Sequence, residues 1–396
     1  MKKKILICTS EFKSEKNFDG GISSHFFRLA KELNQKYDVT VITSSDKSGF
    51  FKFDGINVLR VNIFNIFTKF FLKITEKKNF RGEIFARPFF CLIQSYLLNK
   101  KISKLINKNS VIIYSSYQYL NLFQNPKWKS IVYIWSFQKD WNFVNPNSIF
   151  QKIDTYFENK SFLISKKIIS VSKLLTGRIN KNFKDKTILI RPLYLPLSTQ
   201  PDLDIKYEDK LEDNQYFLYF GSMIKRKGID LIFKILPELI NKYPEYKFIF
   251  CGSNSKFDGV SKKEILHKFK TKFPNNILIF DSLPQNKLFL LIKNSKIVVM
   301  PTYIDTTPSM SLEALDLKAI VLCSSNSSID EYIINNENGF VFKNGDAEDL
   351  LKQIIYINNI NEEKIEDIRN KAKDTIKVFF SKKQTVEKLD QLINEI

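Results

Sequence analysis

Cysteine and histidine are scarce in this chain of 396 residues. Its four cysteines lie far apart, at Cys8, Cys91, Cys251 and Cys323. Because they include no C-x-x-C pair, a zinc ribbon and a disulfide framework are excluded, and such cysteines are typical of a reducing compartment. The two histidines, His25 and His267, are too few for a histidine-rich metal site or for chemistry that needs a histidine pair.

Long hydrophobic runs are also absent from the sequence. No stretch approaches the ~18 apolar residues that a membrane-spanning helix needs. The first apolar run, Ile5 to Cys8, is shorter than the roughly 7–15 residues of a secretory signal core, so we expect a buried first strand there. Apolar residues make up 43% of the chain and charged residues 26%, which excludes disordered and collagen-like classes and indicates a globular protein.

Negative charge is sparse in the first half. Lysine and arginine number 62 against 42 aspartates and glutamates, which gives a formal net charge of +20. Up to Leu195 the sequence has 34 basic and 13 acidic residues, whereas the remainder has 28 and 29. The whole positive excess therefore lies in the first half, and an anionic partner is expected there.

Short apolar runs alternate with helical periods along both halves. Runs such as Val111–Ser115 and Ile297–Met300 are typical of parallel strands that are covered on both faces. Segments whose apolar residues recur at helical spacing lie between such runs, for example Ser23–Lys36 and Ile229–Lys242. Helices between parallel strands imply crossover connections. We therefore predict an α/β protein with two Rossmann-like, doubly wound domains that face each other across a cleft.

A change in composition marks the boundary between these domains. Residues 196–215 combine prolines with an acidic cluster, which is typical of a linker. We predict an N-terminal domain over 1–195 and a C-terminal domain over 216–378. A last helix over 379–396 could pack back on the N-terminal domain.

Glycines precede the first predicted helix. Gly20 and Gly21 would let the backbone approach a ligand closely, and the start of a helix attracts an anion. The alternative is a tight turn with Ser23 as the N-cap of the helix. The pattern is neither a G-x-G-x-x-G fingerprint nor a Walker loop.

Two loops of the second half carry charged residues at the carboxyl ends of predicted strands. Lys225, Arg226 and Lys227 are well placed for a diphosphate, although a solvated basic turn is the alternative. Asp305 and Glu313 flank the start of a helix near Ser309. Carboxylates there can accept hydrogen bonds from sugar hydroxyls, and the alternative is an ordinary capped helix.

Taken in this order, the loops resemble the retaining nucleotide-sugar glycosyltransferases of family 4, which have the two-domain GT-B fold. The resemblance covers nearly the whole chain and rests on Gly20–Gly21, Tyr37–Val41, Ile168–Ser172, Phe217–Gly228, Asp305–Glu313, Ser328–Glu331 and Asn338–Val341. It implies transfer of a sugar from a nucleoside-diphosphate sugar to a glycan or lipid-linked acceptor. The product would belong to bacterial surface polysaccharide or lipopolysaccharide.

The resemblance also implies roles for individual residues. The candidate catalytic residues are Asp305, Lys227 and Arg226. Lys227 would neutralise the diphosphate, and Asp305, in place of the family glutamate, would contact hydroxyls of the donor sugar. Arg226 could replace a family arginine whose position is occupied by Ser222, and Glu313 would bind the ribose. The donor-binding candidates are Gly20, Gly21, Gly221, Ser222, Ser309, Met310 and Glu313.

The acceptor side departs from the family pattern. Where the family often has a histidine at the end of a strand, this chain has Ser136 and Gln138, which with Asp140 are our acceptor-side candidates. Trp135 and Trp141 flank them, and their rings could stack on sugars or pack in the core. We expect no metal and no other cofactor. Binding, orientation and charge neutralisation would then provide most of the rate.

The partners follow from the family and from the charge. Residues 64–78 form a basic amphipathic stretch, so we expect a cytoplasmic enzyme attached peripherally to the inner face of the cytoplasmic membrane. A helix that covers the sheet is the alternative for this stretch, and the D-x-D at Asp202–Asp204 is interpreted as solvated. No nucleic acid is expected. Three other functions stay open: a sugar-nucleotide epimerase of related fold, a basic nucleic-acid-binding protein and a lectin-like module.

Overall fold

The computed structural model describes most of the chain as two compact units. The described residues are 2–15, 20–64, 80–137, 140, 149–179, 181–195, 211, 215–252, 261–281 and 283–396, with backbone alone at 80–86, 149–150 and 262. The first unit comprises Met1–Leu193 and Lys382–Ile396, and the second comprises Tyr194–Ser381. Each unit is described by itself.

Both units alternate strands and helices in the order expected from the hydrophobic runs. The strands are β1 Lys4–Thr9, β2 Asp38–Ser45, β3 Gly49–Phe53, β4 Ile56–Asn62, β5 Val111–Ser115, β6 Ser130–Ile134, β7 Lys167–Ser170, β8 Thr187–Leu189, β9 Tyr216–Phe220, β10 Lys247–Cys251, β11 Ile277–Phe280, β12 Ile297–Met300, β13 Val321–Ser324 and β14 Phe340–Phe342. The helices are α1 Gly21–Lys36, α2 Phe80–Ile102, α3 Ile149–Ile164, α4 Lys173–Arg178, α5 Ile229–Lys242, α6 Lys262–Lys272, α7 Gln285–Lys293, α8 Ser309–Asp316, α9 Ala347–Asn358, α10 Glu362–Phe379 and α11 Lys382–Glu395.

The first unit is built on an eight-stranded sheet in the order β3-β4-β2-β1-β5-β6-β7-β8. All neighbouring strands are parallel except β3, which pairs antiparallel with β4. This hairpin was not predicted. Asp54 and Gly55 make its two-residue turn with φ of +48° and +78°, as the favoured hairpin turns require.

The last helix, α11, belongs to the first unit. Leu389, Leu392 and Ile393 are buried in the core of that unit. Lys36 Nζ lies 2.6 Å from Asp390 Oδ2, and the Tyr37 hydroxyl donates to the same carboxylate. Buried apolar side chains therefore hold α11 in the core of the first unit, and Asp390 forms an ion pair with Lys36 of α1.

The second unit has a six-stranded, wholly parallel sheet in the order β11-β10-β9-β12-β13-β14. Its inner strands are almost fully buried, as expected for parallel strands with helices on both faces, whereas the edge strand β11 is largely half-buried. The strand order reverses between β9 and β12, so the loops that follow these two strands lie at the topological switch point. Open α/β sheets bind ligands at such points.

Three local expectations require correction. The helix α1 begins at Gly21, so Ser23 lies within it as a buried residue and is not its N-cap. The apolar residues of the segment Ile329–Asn335 predict a helix, but the structure has only a short 3₁₀ turn there, Ile329–Glu331, and Asn335 forms a β-bridge with Gly339. The helix α3 was not predicted. Most of the basic stretch 64–78 and of the linker 196–215 lies outside the described residues.

Candidate functional site

The backbone of the loop after β9 lies against a side chain at the start of α8. Gly221 has φ of +120°, and a Cβ built on it would lie 2.7 Å from both Sδ and Cε of Met310. The structure thus brings these two donor-binding candidates together, although they are 89 positions apart in the chain. Ser222, the next residue, is exposed, and its carbonyl accepts a hydrogen bond of 2.8 Å from the Tyr219 hydroxyl.

The basic turn Lys225–Lys227 is locked against the loop that follows β12. The turn is a 3₁₀ helix that ends at Gly228, whose φ is +71°. A Cβ on Gly228 would clash with the carbonyl oxygen of Pro301. The Tyr303 N–H donates a 3.0 Å hydrogen bond to the carbonyl of Arg226. Because of this contact the basic turn is held at the switch point and is not a loose solvated turn.

Three of the predicted residues form one buried cluster at this point. Lys227 Nζ donates to Asp305 Oδ2, and Arg226 Nη1 lies 3.6 Å from Asp305 Oδ1. The side chains are 11%, 16% and 10% exposed for Lys227, Arg226 and Asp305. Burial alone would raise the pKa of Asp305, but the two cations outweigh it and hold the pKa below its usual value. The carboxylate is therefore ionised at neutral pH.

The loop between Asp305 and α8 is held by its own hydrogen bonds. Thr307 has φ of +49°, a conformation that is uncommon for a β-branched residue, and its N–H donates to Ser328 Oγ at 3.0 Å. The following helix, α8, has Pro308 at its N-cap and no side-chain cap. Ser309 and Met310 are its first residues, and Glu313 is half-buried in its second turn. The uncapped start of α8 therefore leaves backbone amides for an anion.

The glycine loop of the first unit lies at the start of α1. Gly20 is the N-cap with φ of −70°, and Gly21 is the first helical residue. Neither backbone conformation requires glycine. Because these two residues have no side chain and are exposed, their backbone is accessible to a ligand. A Cβ on Gly20 would lie 3.6 Å from Glu11 Oε2.

The acceptor-side candidates have different environments. Ser136 is half-buried after β6, and Gln138 and Trp141 lie outside the described residues. Asp140 is buried and forms an ion pair with Arg178, whose Nη1 lies 3.0 Å from Asp140 Oδ2. Asp140 Oδ2 also accepts a hydrogen bond from the Phe137 N–H. These contacts hold the loop after β6 to α4 through a buried ion pair.

Sequence reasoning missed the environment of His25. Its ring lies 4.5 Å from that of Trp135 and packs on Phe26 and Tyr133. Neither ring nitrogen has a hydrogen-bond partner among the described residues. Burial, with a smaller effect of Arg28, lowers the pKa of His25 to about 3. Trp135 is 8% exposed and lies in the core, so its ring is not available for sugar stacking.

Neither a metal-binding cluster nor a membrane-spanning helix occurs in the described residues. No group of three or more histidines, cysteines or carboxylates there could hold a metal ion. No helix in the same part of the chain is both long and apolar enough to cross a bilayer. All four cysteines are free and buried.

Known proteins resemble this chain in sequence and in fold. Residues 202–375 match the family model of the glycosyl transferases group 1. The capsular polysaccharide biosynthesis glycosyltransferase CapM of Staphylococcus aureus is 25% identical over 193 residues, which cover 48% of this chain and 49% of CapM. An uncharacterized glycosyltransferase of Methanocaldococcus jannaschii is 27% identical over 265 residues, 64% of this chain and 66% of the relative. The matches thus span about half to two thirds of these curated relatives.

The fold similarity extends over the whole chain. The crystal structure of a S. aureus TarM mutant in complex with fondaparinux, alpha-GlcNAc-glycerol and UDP is 15% identical, with a TM-score of 0.71 and coverage of 100% of both chains. At this identity the likeness demonstrates the fold alone. The expected GT-B architecture of two Rossmann-like domains is confirmed. The chain thus has the GT-B fold, and residues 202–375 of its second unit are similar to the glycosyl transferases group 1.

Proposed function

We propose that the protein is a retaining glycosyltransferase whose second unit binds a nucleoside-diphosphate sugar. The observation that carries this proposal is the buried cluster in which Lys227 and Arg226 converge on Asp305 at the switch point of the parallel sheet. Two cations beside the uncapped start of α8 form a site that suits a diphosphate. Met310 against Gly221 brings the two loops to one place.

The proposed mechanism rests on charge neutralisation. The bond between the anomeric carbon and the diphosphate oxygen breaks, an acceptor hydroxyl forms the new bond, and the leaving diphosphate can take its proton. Lys227 and Arg226 would stabilise the charge that develops on the leaving group. Asp305 would orient hydroxyls of the donor sugar, and Glu313 would bind the ribose. Because the cations are assembled before the donor arrives, little reorganisation is needed during the reaction.

We propose further that the reaction needs no metal. Two protein cations at one buried carboxylate already provide positive charge where a diphosphate would bind. A calorimetric titration with UDP, GDP, ADP and CMP, with and without EDTA, tests this. We expect one nucleoside diphosphate to bind and EDTA to leave the affinity unchanged. An affinity that EDTA abolishes would contradict the metal-independent proposal.

Substitutions in the cluster test the assignment of the residues. Lys227→Ala and Glu313→Ala should each lower sugar transfer at least tenfold, which corresponds to about 1.4 kcal/mol. Lys242→Ala, at the exposed end of α5, is the matched control and should leave transfer unchanged. Full activity in both site variants would contradict the assignment. An epimerised nucleotide sugar formed without acceptor would instead favour an epimerase.

We propose a glycan or lipid-linked acceptor and a role in surface polysaccharide or lipopolysaccharide synthesis. CapM is named as a glycosyltransferase of capsular polysaccharide biosynthesis, and the TarM mutant was crystallised with UDP and alpha-GlcNAc-glycerol. These properties are those of the related proteins. Together they support an acceptor that is a surface glycan or its precursor.

Membrane attachment is proposed from the surface of the first unit. Phe89 and Tyr96 lie seven residues apart on α2 and are 54% and 50% exposed. On α3, Tyr156 and Leu163 have the same spacing and are 57% and 53% exposed. Lysines accompany these side chains, and Lys160 Nζ lies 5.5 Å from the centre of the Tyr156 ring. Exposed aromatic and lysine side chains on a unit of strong positive charge suit an anionic membrane surface.

Vesicle flotation tests the membrane proposal. The protein should float with vesicles that contain phosphatidylglycerol and not with pure phosphatidylcholine vesicles. Tyr156→Ser should weaken the binding. Tyr356→Ser, which changes a tyrosine that is 43% exposed on the second unit, is the control and should not. Failure to bind anionic vesicles at low salt would refute membrane attachment and leave the donor site untouched.

A further inference from the structure

A loop rich in serine lies beside the loop that carries Asp305. This serine loop, Ser324–Ser328, begins at the last residue of β13, which is the neighbour of β12 in the sheet. Because β12 and β13 are parallel, the loops that follow them lie at the same edge of the sheet. Three residues of the serine loop are fully buried: Ser324, Ser327 and Ser328. The family resemblance includes the last of these but assigns no role to it.

The backbone that carries Asp305 is held to the serine loop at two points. The Asp305 N–H donates a 3.1 Å hydrogen bond to the Ser327 carbonyl. The Thr307 N–H donates to Ser328 Oγ at 3.0 Å. Thr306 lies between these two anchors, and its own N–H donates to Asp305 Oδ1 at 2.9 Å. The serine loop therefore fixes the amide that orients the Asp305 carboxylate.

The two residues joined by the second of these hydrogen bonds both have a left-handed backbone. The φ angle is +49° at Thr307 and +76° at Ser328, where glycine would be the least costly residue. Such conformations persist only where the surrounding structure holds them, and they are concentrated at functional sites. Glycine in place of Ser328 would relieve the strain, but it has no hydroxyl to accept from Thr307. Serine therefore accepts a conformational cost and makes a contact that glycine could not make.

The start of α8 is held by a different set of contacts. Ser311 Oγ donates to the Pro308 carbonyl at 2.7 Å and lies 2.6 Å from the Tyr332 hydroxyl. These contacts do not depend on the serine loop. Loss of the Ser328 hydroxyl should therefore disturb the Asp305 carboxylate more than the α8 amides that are proposed for the diphosphate.

We propose that Ser328 is a positioning residue for the donor sugar. Its hydroxyl fixes Thr307, so that the amide of Thr306 directs the Asp305 carboxylate to the sugar hydroxyls. Ser328 acts through the backbone of the neighbouring loop and is not a catalytic residue. The inference rests on the proposed function, in which Asp305 orients the donor sugar, and it adds to that site a residue from a second loop.

Two variants of the full chain remove the hydroxyl with different effects on backbone strain. Ser328→Gly relieves the left-handed backbone, whereas Ser328→Ala retains its cost. Ser325→Ala is the matched control, because Ser325 Oγ in the same loop also accepts from a backbone N–H, that of Asn344 at 3.2 Å. Calorimetric titration compares the nucleotides UDP, GDP and ADP with the nucleotide sugars UDP-glucose, GDP-mannose and ADP-glucose. Differential scanning calorimetry gives the Tm of each variant.

We expect both Ser328 variants to lose affinity for the nucleotide sugar and to keep their affinity for the nucleotide alone. The loss should be about tenfold, since a hydrogen bond to a charged group contributes at least such a factor. The control should match the native protein in both affinities. Ser328→Gly should have a higher Tm than Ser328→Ala, although both bind the nucleotide sugar equally weakly. A merely structural residue would instead give a loss of affinity that follows Tm.

Three results would overturn the role of Ser328 and leave the proposed function intact. The first is a nucleotide sugar that binds Ser328→Gly with the native affinity. The second is an equal loss of affinity for the nucleotide alone. The third is a loss confined to Ser328→Ala, because strain and not the hydroxyl would then explain it. If the native protein binds none of these nucleotides and nucleotide sugars, the proposed function fails and the role of Ser328 fails with it.

Discussion

Replacing Asp305 with asparagine would leave two buried cations without their counterion. Lys227 and Arg226 are each less than 20% exposed, and both face this carboxylate. Removing one partner of a buried ion pair costs about 3–5 kcal/mol. For a unit of the size of Tyr194–Ser381, each kcal/mol lowers Tm by about 2–4 °C, so we expect the second unit to melt roughly 6–20 °C lower.

A diphosphate should reverse part of this loss. In the variant the two cations no longer pair with Asp305, so a nucleoside diphosphate can engage both without competition. The nucleotide that binds the native protein should therefore bind Asp305→Asn more tightly and raise its Tm by more. Sugar transfer should nevertheless fall, because the group that orients the donor sugar is altered.

Differential scanning calorimetry with and without the nucleotide measures both effects. Asp230→Asn is the control, because its carboxylate accepts from the Tyr303 hydroxyl at 2.9 Å and does not contact the two cations. It should lower Tm less and should not change the effect of the nucleotide. If the Asp305→Asn variant has the same Tm as the native protein, the energetic reasoning is refuted. A smaller nucleotide effect in the variant would refute the assignment of the cations to the diphosphate.

The remaining predictions concern acid stability and backbone geometry. The ionised Asp305 carboxylate stabilises the folded protein. This contribution to the free energy of unfolding should be lost only as pH falls below the ordinary value of 3.8 and through the lowered folded-state pKa of Asp305. The contribution of the buried, neutral His25 to the free energy of unfolding is lost at a higher pH. The reason is that the ring binds a proton near pH 6.5 in the unfolded chain but only near pH 3 in the folded protein. Urea unfolding at pH 6.5 and 5 should therefore show about 2 kcal/mol more loss for the native protein than for His25→Phe, and equal losses would contradict the burial of a neutral ring. Gly345→Ala should cost about 1–2 kcal/mol for its left-handed backbone alone. Gly228→Ala should cost clearly more, since its Cβ meets Pro301, and equal costs by calorimetry would contradict that clash.

Local sequence patterns determine most of the strands and helices of this protein. Continuous runs of β-formers predict β5 and β12 with their observed ends, because a strand that is buried on both faces must be apolar throughout. The helix α5 is predicted equally well from its apolar periodicity. The rules for parallel strands do not predict the hairpin of β3 and β4, although the Asp54-Gly55 pair is of a residue type that favours such a turn.

The sequence also indicates which loops of the second unit carry the chemistry. Lys227, Asp305 and Glu313 stand out by residue type and by position after strands, and the family resemblance assigns roles to them. That Lys227 and Asp305 form a buried ion pair is a consequence of the fold. It depends on β9 and β12 being neighbours, which the order of strands along the chain does not reveal.

Only the tertiary structure decides the features that depend on packing between distant segments. In the sequence His25 looks like an ordinary helix residue, and only its packing against Tyr133 and Trp135 buries the ring and lowers its pKa. Glu11, Gln94 and Gln118 line one cavity of the first unit, yet they come from three separate segments, and no spacing in the sequence links them. Short-range patterns carry the information for strands, helices and turns because hydrogen bonding and hydrophobic periodicity are local. A cavity and a shifted pKa arise from what surrounds a side chain in space, so they are settled only when the chain has folded.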